Sequence, residues 1–110
     1  MRPSFHRLLS LLALVLALLA PAVAMAQPDP RVEARAHYQA GMARFNAAQY
    51  DEAVAEFRAA EQILPSPIND YNIGLALERK GDAAAAIKAY RAYLDRAPNA
   101  ANRAEVEGAL

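Results

Sequence analysis

From position 27 onward the sequence holds a single histidine, His37, a single serine, Ser66, and no threonine or cysteine. Covalent catalysis needs a hydroxyl or thiol beside a base, and this stock is too thin to assemble one. Glu33 and His37 are four apart and would share a helical face, the spacing of two metal ligands. Without a third donor they read as a solvated helical pair. The lack of cysteine removes disulfides, thiolate metal cages and a lipid-modified cysteine of the bacterial lipoprotein kind. Asp51 and Glu52 are adjacent carboxylates better placed to start a helix than to work as an acid–base pair. The glycines at 41, 74, 81 and 108 are scattered and make no phosphate-cradling loop. The sequence therefore predicts no enzyme, no cofactor and no metal centre.

The elements that would carry any other site follow one pattern written twice. Tyr38, Gly41, Ala53, Phe57 and Pro65 recur 33 residues later as Tyr71, Gly74, Ala86, Tyr90 and Pro98. A fixed period of this size marks a stacked repeat protein in which each unit buries its apolar face on the next. The composition, 55% hydrophobic with 7% aromatic and many alanines, suits short helices packed through small side chains, and no strands are expected. At 110 residues there is room for one small domain.

Residues 1–26 read as a secretory signal peptide: Arg2, His6 and Arg7, the apolar run Leu8 to Ala20, Pro21, and a small-residue site at Ala24 and Ala26. Cleavage after Ala26 places the chain in the bacterial periplasm or outside the cell. An uncleaved leader would anchor it in the inner membrane, the only membrane contact the sequence suggests. With Arg2 and Arg7 in the leader, ten basic and twelve acidic side chains remain, a charge of −2 that argues against nucleic acid as a partner. Residues 27–33 form a Pro-containing linker and helix start, with Asp29 as cap and Pro30 at the first helical position.

Helices are expected over Arg31–Ala47, Tyr50–Leu64, Pro67–Lys80 and Ala83–Arg96, followed by a short terminal helix. Ala36, Ala40, Ala43 and Ala47 form a small-residue face on the first. Gly41 lets the helix pair approach closely. The inward sets are Ala53, Val54, Phe57, Ala60 and Leu64 on the second, Ile73, Gly74 and Leu77 on the third, and Ala86, Ile87, Tyr90, Tyr93 and Leu94 on the fourth. Ser66 with Pro67 starts the third helix, and Gly81-Asp82 makes a sharp turn before the fourth. Asn99 or Asn102 caps the last helix, the latter with Glu105 as a capping-box variant. That helix would dock on Tyr93 through Ala101 or Ala104, Val106 and Leu110.

Each copy resembles the tetratricopeptide repeat: a small residue midway along the first helix, an alanine and then an aromatic in the second, and a closing proline. The resemblance divides the chain into repeats at 34–66 and 67–99 and a capping helix at 100–110, in an all-α solenoid. It departs at Tyr93, where the family prefers the alanine that Ala60 supplies in the first copy. It implies a non-catalytic module that holds another protein or peptide, in a concave groove lined by the first helix of each pair. That face would carry Arg35, Tyr38, Met42 and Asn46 from one helix, and Ile68, Tyr71, Asn72, Leu75 and Arg79 from the other. One alternative is a self-associating structural subunit of an envelope complex, a homo-oligomer, because two repeats and a cap bury little core; a second is a small metal-binding protein or enzyme, for which only Glu33 and His37 speak. Some family members clamp a terminal carboxylate with lysines and asparagines. Asn72 is similar to one clamp residue, but Tyr38 and Met42 stand where the first lysine and asparagine would be, and the basic pair of a third repeat is replaced by Ala101 and Glu105, so no carboxylate clamp is expected.

Overall fold

The computed structural model describes residues 27–110, and the expected signal peptide lies outside them. Five helices follow one another: α1 Pro30–Asn46, α2 Tyr50–Ile63, α3 Pro67–Lys80, α4 Ala83–Arg96 and α5 Arg103–Gly108. Each packs on the next in chain order, so the described residues form an all-α stack of two antiparallel pairs closed by α5. Among them no helix is long and apolar enough to cross a membrane.

The ends of the helices follow from local chemistry. Asp29 accepts from the Arg31 amide and Asp82 from the Ala85 amide, capping α1 and α4. Proline opens α1 and α3, where the missing N–H costs nothing. The expected Ser66 side-chain cap on α3 is absent. Instead the Ser66 amide donates to the Glu61 carboxylate at 2.9 Å, so α2 supplies the acceptor that starts α3.

The 33-residue period holds in three dimensions. Phe57 on α2 faces Gly41 on α1, and Tyr90 on α4 faces Gly74 on α3. A Cβ at either glycine would lie 2.5–2.6 Å from the ring. Tyr38 stands against Phe57 at 6.0 Å between ring centroids, and Tyr71 against Tyr90 at 6.1 Å. Phe57 and Tyr90 lie in the core with Ala53, Val54, Ile73, Ala76, Leu77, Ala86, Tyr93, Leu94 and Val106, and Tyr38 and Tyr71 pack against it half-buried.

Three expected faces need correction. On α1 the buried positions are Ala34 and Gly41, while Ala36, Ala43 and Ala47 are exposed. The helix is turned so that Gly41 meets Phe57, which carries the alanine stripe outward. Leu64 is exposed because α2 ends at Ile63; Leu64 is already extended at φ −141° and has left the helical stripe. On α5 only Val106 is buried; Ala101, Ala104 and Leu110 are exposed. Asn102 does not cap α5 with its side chain, because its Oδ1 accepts from the Tyr93 hydroxyl at 2.7 Å.

The two helix-ending turns are also equivalent. The amides of Ala48 and Gln49 bond to Phe45 O and Arg44 O; those of Gly81 and Asp82 bond to Glu78 O and Leu77 O, 33 residues on. Both central residues are left-handed, Gly81 at φ 94° and Ala48 at φ 58°. A Cβ in that region is strained by roughly 1–2 kcal/mol. Ala48→Gly is expected to raise stability by about 1 kcal/mol and Gly81→Ala to lower it by about as much, read from urea midpoints.

Candidate partner-binding groove

The side chains of α1 and α3 meet on one side of the stack, and those of α2 and α4 on the other. On the α1–α3 side lie three depressions. One, of about 490 Å³, is lined by Arg35 and Tyr38 of α1, Ile68 and Asn69 of α3, and Ala60 and Leu64 between them. A second, of about 420 Å³, runs between α3 and α5 along Tyr71, Leu75, Arg79, Glu78 and Glu105. A narrow slot of about 20 Å³ between them is bounded by Met42, Phe45, Phe57, Asn72 and Leu75.

Eight of the nine residues expected on this face therefore line one of the three depressions. Asn46 is exposed but lines none of them. Asn72 is buried at the base of the slot, its Nδ2 without a hydrogen-bond partner among the described residues. Phe45, Glu78 and Glu105 belong to this side although sequence reasoning did not place them there. Phe45 is seven residues beyond Tyr38, two helical turns on the same face, which is the signal that could have found it.

The tyrosines are held from behind. Tyr71 lies 5.3 Å from Tyr93 as well as against Tyr90, and the Arg79 guanidinium sits 5.7 Å from the centre of the Phe45 ring, tying α3 to α1. Tyr90 donates to Glu78; burial first, and then that carboxylate, push its phenol pKa up and keep it a donor. His37 does not pair with Glu33. Its Nδ1 lies 2.6 Å from Glu56 on α2, and no set of three metal-ligating residues is gathered among the described residues.

Glu61 joins the first repeat to the second. Its carboxylate takes the Ser66 amide, Asn69 Nδ2 at 2.8 Å and Arg96 at 2.7 Å, and Arg96 also holds Asp70. Burial alone would raise the Glu61 carboxyl, but the Ser66 and Asn69 donors and Arg96 outweigh it and hold the pKa below the usual range. A depressed carboxylate stabilises the fold above its unfolded pKa, and that stability is lost as pH falls through the folded value. Glu61→Gln is expected to cost about 1–2 kcal/mol at pH 7 and to flatten the acid side of the stability profile, measured by urea titration from pH 7 to 3.

A further depression, of about 510 Å³, lies on the opposite side between α2 and α4. Its carboxylates Glu61 and Asp70 are already engaged by Arg96.

Helix pairs stacked at a fixed period, each closed by a ring packed on a glycine, define a helical-repeat protein. Two models described as tetratricopeptide repeat match the chain, one over residues 34–66 and the other over residues 70–100. Together they cover more than half of it, and the chain belongs to the tetratricopeptide repeat family. Repeats of this family generally mediate protein–protein interaction and are typically non-catalytic. No curated protein matches the chain.

Proposed function

We propose that this protein is an exported, non-catalytic interaction module that holds a peptide or helix of a partner protein against the α1–α3 side, in the bacterial cell envelope. One observation carries the reading: Tyr38, Met42, Tyr71 and Leu75 are half-buried, packed against the core rather than within it, and line depressions on the same side. Such a strip offers both apolar area and hydroxyl groups to a docked segment. Export rests on the basic residues, apolar run and Ala-x-Ala site of residues 1–26. The non-catalytic reading rests on the scarcity of nucleophiles and on His37 being engaged by Glu56. Self-association is favoured by one feature, the exposed outer face of α1 with Val32, Ala36, Ala43 and Ala47.

Crosslinking in an exporting host, followed by identification of what is captured by wild type and by Tyr38→Ala/Tyr71→Ala, tests this. A heterologous partner lost in the double variant, with helicity retained by circular dichroism, is the expected result. Self-crosslinks alone would support the oligomer instead.

A further inference from the structure

We infer that the depression between α1 and α3 is a socket for a tyrosine side chain of the partner, carried in a segment with an acidic neighbour. This rests on the reading of the α1–α3 side as a binding surface, and it comes from comparing the two repeats at their own 33-residue offset.

In the second repeat Tyr93 of α4 turns its ring against Tyr71, 5.3 Å between centroids, and donates its hydroxyl to Asn102 Oδ1 at 2.7 Å. The residues 33 positions earlier are Ala60, Tyr38 and Asn69. All three line the depression of about 490 Å³. Where the second repeat has its own phenol, the first has the Ala60 methyl, only 2% exposed, beside the open depression.

The hydrogen-bonding partner is also in place. Asn69 is 3% exposed, and its Nδ2 donates to the Glu61 carboxylate, which can only accept when ionised. That fixes the amide orientation and leaves Oδ1 as an acceptor with no partner among the described residues. A phenol meets it with a donor; a phenylalanine ring would fill the space and leave the acceptor unpaired. Arg35 lines the same depression, exposed and without an ion pair among the described residues, so an acidic residue beside the tyrosine would find its complement there.

The test uses N-acetyl-tyrosinamide, N-acetyl-phenylalaninamide, acetyl-Asp-Tyr-amide and acetyl-Lys-Tyr-amide as probes, titrated into the purified exported protein and followed by NMR. Saturable shifts at the Asn69 side-chain amide, Ile68 and Tyr38 are expected, with tyrosine bound about five-fold tighter than phenylalanine. The Asp-Tyr probe should bind more tightly than the Lys-Tyr probe. Asn69→Ala should bring tyrosine and phenylalanine to parity. Ala60→Tyr should fill the socket from within, melt no lower than wild type and abolish the shifts. No saturable shift at these residues, equal binding of the two rings by wild type, or an Ala60→Tyr chain that melts well below wild type would each overturn the socket. If the probes fail while a partner still crosslinks to the α1–α3 side, the socket falls and the binding reading stands; if both fail, both fall.

Discussion

Alanine at Gly41 or at Gly74 will destabilise the protein by about 2–3 kcal/mol, although alanine is the better helix former by about 1 kcal/mol. The added Cβ at Gly41 would lie 2.6 Å from Phe57 Cε1 and 2.7 Å from Cδ1; at Gly74 it would lie 2.5 Å from two ring carbons of Tyr90. Neither ring is the loose end of a flexible chain. Phe57 is fully buried and Tyr90 2% exposed, the latter also fixed by its bond to Glu78. The helices must therefore move apart, opening the contact that defines each repeat. Urea denaturation of both variants, beside Gly108→Ala as a control, checks this. Gly108 has nothing within 4 Å of its added Cβ and should tolerate the change. Equal tolerance at all three positions would mean that the glycines do not set the packing distance.

Val106→Asp is expected to release α5 at a cost of about 2 kcal/mol. Six residues cannot hold a helix in water, so α5 exists because it is docked. Val106 is its one buried side chain, at 2% exposure, and burial of a valine is worth about 1.5–3 kcal/mol. A carboxylate there would not stay buried unpaired. The cost is capped by the docking energy, because the helix can leave while α1 to α4 stay packed. Hydrogen exchange should show amides 103–109 losing protection and those of α1 to α4 keeping theirs. Release would also open the depression beside Tyr71 and Leu75, which α5 now flanks. Retained protection in α5 would show that Asn102 and Arg103 hold it without Val106.

Much of this arrangement was legible in the sequence, because the repeat places residues of distinct size at fixed intervals. Gly41 with Phe57 and Gly74 with Tyr90 announce close helix pairs. Pro67, Gly81 and Asp82 bound α3 and α4 where expected, since each acts through its own backbone geometry. The outer face of α1 was not legible. Alanines at 36, 40, 43 and 47 follow the helical period as well as Ala34, Tyr38, Gly41 and Phe45 do, and only the partner ring decides between the two phases. Leu64 misled because apolarity does not tell where a helix stops. The Glu61 node joins residues five, eight and 35 apart across turns, and no local pattern encodes it. Asn102 looked like a cap, but a tyrosine from the preceding helix competes for its oxygen and wins. On the candidate site, the α1–α3 strip is what the family resemblance implies, whereas its three depressions depend on how α2 and α5 pack beside it, which no local pattern encodes.

The most direct test of the central claim is a photocrosslinking amino acid placed singly at Arg35 or Arg79 on the α1–α3 side, and at Arg58 or Arg91 on the α2–α4 side. All four residues are exposed, so the exchange leaves the core intact. In the exporting host, crosslinks to one heterologous protein from positions 35 and 79, and none from 58 and 91, are the predicted result. Crosslinks confined to 58 and 91, or to second copies of the chain, would contradict it.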